Sequence, residues 1–112
     1  RPGVEELLRV ANPSLHAIRR FALEDLPVAD TIIHKGQTVL LDIQAANEQA
    51  TTHLSFGAGI HYCLGAPLAK LELEIALNTV LARYPDMELV NVQERPSFRS
   101  RGLAELRVRL TP

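Results

Sequence analysis

With 112 residues, 46% of them apolar and 22% charged, the chain has the composition of one globular unit at most, with a modest core. Its formal charge of −1, from interspersed acids and bases, gives no basic field to hold nucleic acid, and 4% aromatic residues provide no stacking set. The longest apolar-rich stretch is broken by Lys70, Glu72 and Glu74, and no basic-then-apolar leader opens the chain, so neither a membrane span nor export is expected and the default location is cytoplasmic.

Arg1-Pro2-Gly3 stands abruptly before the first helical pattern, as a chain cut from a longer one would. Val4, Leu7 and Leu8 then recur at helical spacing among Glu5, Glu6 and Arg9, and Asn12-Pro13 ends that helix. From Ile18 to Leu41 short β-prone pieces alternate with turn residues: Ile18 to Ala22, Thr31 to Ile33, a turn at Gly36, and Thr38 to Leu41. Hairpin-like strands fit this stretch. Asp42 to Ala50 reads as one or two helical turns capped by Asp42, and the glycine-rich loop from Phe56 to Gly65 follows.

Leu64 to Tyr84 carries the strongest helical pattern, with Pro67 tolerable in the first turn and Pro85 closing it. One apolar stripe runs through Leu64, Leu68, Leu71 and Ile75, and a broader one through Ala66, Ala69, Leu73, Ala76, Leu77 and Val80. Such a helix expects partners on nearly every side. Met87 to Val90 and Leu103 to Leu110 read as strands, the second alternating Leu106, Val108 and Leu110 with Arg107 and Arg109. The expected class is mainly α with small β-sheets, an α+β arrangement in a chain of this length.

The chemistry concentrates in Phe56-Gly57-Ala58-Gly59-Ile60-His61-Tyr62-Cys63-Leu64-Gly65. Cys63 is the one cysteine, so it forms no internal disulfide and is a small buried hydrophobe, a reactive thiol or a metal ligand. Glycines let the backbone turn tightly and lie close to a flat ligand where a Cβ would collide. Cys63 also stands at the start of the long helix, where free N–H groups and the positive end of the macrodipole favour a thiolate, the form that binds metal.

The spacing Phe-Gly-x-Gly-x-His-x-Cys-x-Gly resembles the haem-binding motif of the cytochrome P450 family, whose iron is held by a cysteine thiolate that favours O–O cleavage. Glu6-Leu7-Leu8-Arg9 resembles the family's structural Glu-x-x-Arg motif, and Arg20-Phe21-Ala22-Leu23-Glu24-Asp25 resembles the bacterial, soluble branch. The resemblance implies that residues 1–112 are the C-terminal haem-binding portion of that fold, an incomplete domain made of helix, short strands, cysteine loop, long helix and C-terminal strands. It implies haem b as cofactor, with Cys63 as the axial ligand of the iron. Arg20 and His61 would contact the propionates, with Arg19 the alternative to Arg20. Phe56 would pack by the sulfur, and Gly57, Gly59 and Gly65 would shape the loop, with Ala66 continuing the pattern.

By the same resemblance the parent reaction is dioxygen activation and insertion of one oxygen atom into a small organic substrate, a monooxygenase activity. Electrons would come from a ferredoxin and an NAD(P)H-dependent ferredoxin reductase docking on the proximal face, near Lys70 and Arg83, although solvated charge explains both. The resemblance places no catalytic residue in this chain, because the helix with the family's acid and alcohol residues has no counterpart in it. The alternative is a non-catalytic remnant that binds haem weakly or not at all.

Departures from the family pattern also matter. In the relatives a loop of roughly 20 residues, long for a simple connection, precedes the cysteine loop. Here Ala45 to Thr52 runs almost directly into His53, and the arginine that would complete a buried network with Glu6 and Arg9 is missing. Glu6 and Arg9 are therefore expected to lack a third partner. His16, His34 and His53 read as exposed or strand-edge residues. Two rival chemistries remain: a zinc site from His53, His61 and Cys63, which lacks the usual Cys-x-x-Cys pairs, and a nucleophilic Cys63 with His61 as base.

Overall fold

A computed structural model describes residues 3–111; Arg1 and Pro2, part of the abrupt start, lie outside the described residues. The chain begins with α1 (Val4–Val10), which has Glu5 and Glu6 in its first turn and Arg9 in its last, the charge order that suits the helix dipole. Four short strands follow: β1 (Arg20–Phe21), β2 (Leu26–Val28), β3 (Thr31–Ile33) and β4 (Thr38–Val39). Then come α2 (Ile43–Gln49), a single 3-10 turn over Gly59–His61, α3 (Ala66–Arg83), and the strands β5 (Glu88–Arg95) and β6 (Gly102–Arg109). The architecture is therefore three helices with three small antiparallel ladders, β1 with β4, β2 with β3, and β5 with β6.

Asp42 caps α2 as expected, its side chain accepting the N–H of Ala45 at 2.9 Å. Strand β2 is an addition to the sequence reading. Pro27 opposes Ile32 in a two-stranded ladder, where its missing N–H can be tolerated. Ala29 turns this hairpin with a φ of 47°, a left-handed angle usually left to Gly or Asn.

Strand β5 runs five residues beyond Val90, to Arg95, because register irregularities at Leu89/Asn91 and Gln93/Glu94 break the apolar alternation without ending the pairing. The patterns over Ile18 to Ala22 and Thr38 to Leu41 shrink to two paired residues each, Arg20 with Val39 and Phe21 with Thr38. Ahead of β1, the segment around Leu15 is stitched on both sides: Leu15 N–H donates to the Arg99 carbonyl and Ile43 N–H to the Leu15 carbonyl, both at 3.0 Å.

Helix α3 starts at Ala66, with Pro67 in its first turn, so Leu64 precedes the helix instead of heading its apolar stripe. Among the described residues the buried apolar side chains are Leu8 on α1, Ile43 on α2 and Ala66 on α3, one on each helix, and α1 packs against the other two helices. Beyond that junction Leu68, Leu71, Leu73, Ile75 and Val80 stay exposed. The expectation of partners around α3 is thus met only at its N-terminal end. No described helix is long and apolar enough to cross a membrane.

Candidate functional site

The loop ahead of α3 closes on itself through its backbone. Gly57 N–H donates to the Leu54 carbonyl and Cys63 N–H to the Phe56 carbonyl, each at 2.8 Å, so residues 56 and 63 form the neck of a tight excursion. Two glycines make it possible. Gly57 and Gly59 have φ of +76° and +60°, and a Cβ on Gly57 would come within 3.1 Å of the His61 carbonyl oxygen. Gly65 departs from the expectation: its φ of −83° suits any residue, and a Cβ there would meet Cys63 Sγ at an ordinary 3.8 Å.

The neck presents Cys63 three residues ahead of α3, as an exposed free thiol, with the Ala66 N–H donating to its carbonyl at 3.2 Å. Flanking apolar side chains face outward: Ile60 is 97% and Leu64 99% exposed, and Ile18 is exposed nearby in sequence to β1. These are large side chains that a folded surface rarely leaves bare, and at roughly 25 cal/mol per Å² an apolar ligand covering them gains stability.

Beside this loop lies a cavity of about 500 Å³, whose wall includes Phe56, Gly57, Ala58 and His61 from the loop and Arg19 and Arg20 from the approach to β1. Cys63 is not in the wall, but His61, two residues before it, is. Both candidate arginines reach the same cavity, so the sequence alternation between them does not separate them here. The structure adds Arg99, which the sequence reading left out, and His16, which it gave no site role. His16 Nδ1 donates to the Phe98 carbonyl at 2.9 Å and the ring stacks on that of Phe98, a pairing 82 residues apart in the chain that no local pattern announces. The wall holds three arginines and no carboxylate, a setting for an anionic end group.

Behind the loop, two polar clusters join it to the helices. Glu6 takes both Arg9 Nε and Nη2, at 2.8 and 2.7 Å, and Arg9 Nη1 donates to the Asn47 carbonyl at 2.9 Å. The expected orphan pair therefore has a third partner, and since Glu6 is half exposed the pair is not a buried one. The hydrogen-bonded guanidinium lowers the Glu6 carboxyl below its ordinary range. In the second cluster Glu5 receives Lys70 Nζ and His53 Nε2, each at 2.8 Å. Lys70 Nζ also lies 5.8 Å from the Phe56 ring centre, so Phe56 is held between α3 and the loop.

His53 accordingly differs from the expected exposed residue, its side chain being 9% exposed and tied to α1. Lys70 is paired instead of freely solvated. His34, in contrast, sits at a strand edge against Asp25. Among the described residues no three His, Cys, Asp or Glu side chains gather where a metal ion would sit, and His53 is turned to Glu5, so the zinc arrangement is not formed.

The sequence model of the family Cytochrome P450 matches residues 41–109, more than half of the chain. The chain is 38% identical to the polyketide biosynthesis cytochrome P450 PksS of Bacillus subtilis, over 97% of this chain and 32% of that protein. Among solved structures, the tirandamycin C-bound P450 monooxygenase TamI superposes with a TM-score of 0.87 at 41% identity, covering 95% of this chain and 32% of that one. CYP109E1 from Bacillus megaterium, in complex with testosterone, gives 0.90 at 30% identity, covering 98% of this chain and 35% of that one. The chain thus spans about a third of the length of the relatives it matches. The PksS alignment runs over 128 residues, whereas 97% of 112 is about 109, so about 19 positions of that relative face no residue of this chain. That difference is close in size to the loop that the family resemblance gives the relatives and that this sequence lacks before His53.

Proposed function

The chain belongs to the cytochrome P450 family, and from that membership we propose that Cys63 is the axial thiolate ligand of a haem b iron, in the C-terminal haem-binding portion of a haem-thiolate monooxygenase. Members of the family bind haem b. The observation that carries the reading is the loop itself: a complete ten-residue motif folded into a hydrogen-bonded neck with a free, exposed thiol, bare apolar side chains at Ile60 and Leu64, and loop residues Phe56 to Ala58 and His61 in the wall of an arginine-lined cavity.

The residues present suit that group. Ile60 and Leu64 would meet its flat apolar body, and Arg20 and His61 its acidic edge, with Arg19 and Arg99 alongside. Gly57 and Gly59 let the backbone turn beneath it, Gly65 leaves space beside Sγ, and Phe56 closes the loop's base. Glu6 and Arg9 hold α1 to α2. When bound, haem supplies the reductive activation of dioxygen used to insert one oxygen atom into an organic substrate. Cys63 would hold the group, and Arg20 and His61 would orient it by its carboxylates.

In a family-length protein the remaining partners are a small organic substrate, a ferredoxin and its NAD(P)H-dependent reductase, in the cytoplasm. The thin core and the bare length of α3 support residues 1–112 being part of a larger domain, since a side chain such as Leu68 or Ile75 gains nothing by facing water. The same exposure favours a second reading, a non-catalytic remnant: a flat cofactor covered on one side keeps much apolar area in water and binds weakly.

Haemin titration of the chain, followed by absorbance, tests the proposal. Saturable one-to-one binding that Cys63→Ala weakens or spectrally alters supports it; identical titrations of wild type and Cys63→Ala would remove Cys63 as the ligand, and no binding in either would leave the remnant reading.

A further inference from the structure

We infer that Asn47 is a positioning residue for the cysteine loop, fixing Leu54 and Ser55, and through them the neck that carries Cys63, against α1. This inference rests on the reading of Cys63 as the haem ligand. Asn47 is 1% exposed and is the largest fully buried side chain among the described residues, an unusual place for an amide in a chain whose buried apolar residues are so few. Buried amides are retained where each polar atom is paired, and here they are. The side-chain Oδ1 accepts the Leu54 N–H at 2.7 Å, and Nδ2 donates to Ser55 Oγ at 3.2 Å. Ser55 Oγ in turn donates to the Leu8 carbonyl on α1 at 2.7 Å, while the Asn47 carbonyl accepts Arg9 Nη1 at 2.9 Å.

One residue on α2 therefore joins α1 twice, once through Arg9 and once through Ser55, and grips the two residues immediately ahead of the loop. The connection onward is backbone only. The Leu54 carbonyl accepts Gly57 N–H, and Phe56, the next residue after Ser55, accepts Cys63 N–H. A displacement of Leu54 and Ser55 thus moves both ends of the neck. Arg9 is itself held in place by Glu6 through two bonds, so the orientation of the pair on α1 passes to the loop through the Asn47 main chain. The side chain transmits the position; it touches neither thiol nor ligand.

The test compares Asn47→Ala with Asn47→Asp, which keeps an acceptor for Leu54 N–H, with Ser55→Ala, which removes the Oγ bonds to Asn47 Nδ2 and the Leu8 carbonyl but keeps the Asn47 Oδ1 bond to Leu54, and with Ile43→Ala, a buried truncation on the same helix. Amide hydrogen exchange of the full chain is read over residues 54–65, and the haemin-loaded, reduced, carbon monoxide-treated protein is read for its thiolate-type band. Asn47→Ala is expected to speed exchange in 54–65 by about tenfold relative to Ile43→Ala, and to lower the thiolate-ligated fraction, with partial recovery in Asn47→Asp. Equal exchange in Asn47→Ala and Ile43→Ala, or an unchanged thiolate fraction beside faster exchange, would overturn the inference. If Asn47→Ala does not fold, Ser55→Ala decides: faster exchange confined to 54–65 supports it, and wild-type exchange there overturns it. A wild-type chain with no thiolate-type band sinks the haem reading, while the exchange comparison still decides whether Asn47 positions the loop.

Discussion

Glu5 on the first turn of α1 and Lys70 on α3 meet at 2.8 Å, and the same carboxylate receives His53 from the cysteine-loop approach at 2.8 Å, so one acid ties three segments together. The Lys70 ammonium first, and His53 second, hold the Glu5 carboxyl below its ordinary value of 4.5, and Arg9 does the same for Glu6. A carboxyl with a lowered folded value contributes stability that is present above its unfolded value and lost as pH falls through the folded one. Urea midpoints are therefore expected to hold from neutral pH down to about 5 and to decline below it, and Glu5→Gln is expected to flatten part of that decline. A midpoint that rises on acidification would contradict this assignment.

The Gly57 conformation predicts a sharp contrast within the loop. Gly57→Ala places a Cβ at a φ of +76° and 3.1 Å from the His61 carbonyl, and is expected to cost about 1–2 kcal/mol from the left-handed backbone alone. Gly65→Ala, at an ordinary φ and an ordinary contact, is expected to change unfolding free energy by less than about 0.5 kcal/mol. Equal effects of the two substitutions would show that the motif's glycines are not distinguished by conformation.

Much of this was readable from residues. Pro67 and Pro85 bracket α3, Asp42 predicts the α2 cap, and the motif spacing points to Cys63, because each of these signals is local to a few residues. What escaped depended on contacts distant in sequence. His53 read as an exposed or strand-edge residue until α1 brought Glu5 to it, 48 residues away, and Arg99 entered the cavity wall through the pairing of Ser14 with Ser100. The third partner of Arg9 was sought as a side chain and proved to be the Asn47 main-chain carbonyl, which no residue type reveals. Strand β2 was hidden by Pro27, and the extent of β5 by its irregular register.

Arg20 provides a test of the cavity's charge. If Arg20 holds an acidic edge group, Arg20→Ala is expected to weaken haemin binding by about tenfold, the size of a lost charge-assisted hydrogen bond, while leaving binding of haemin dimethyl ester unchanged. Equal weakening toward both ligands would mean that the substitution acts on the fold and not on the ligand's carboxylates. Arg99→Ala, run beside it, measures whether the third arginine of the wall shares the role.

The most direct measurement is the spectrum of the reduced, carbon monoxide-treated chain after reconstitution with haem. With Cys63 as the iron's ligand, the wild-type chain gives the red-shifted Soret band of thiolate ligation and Cys63→Ala loses it. A haem-loaded wild-type chain without that band, or a Cys63→Ala chain that retains it, would contradict the assignment.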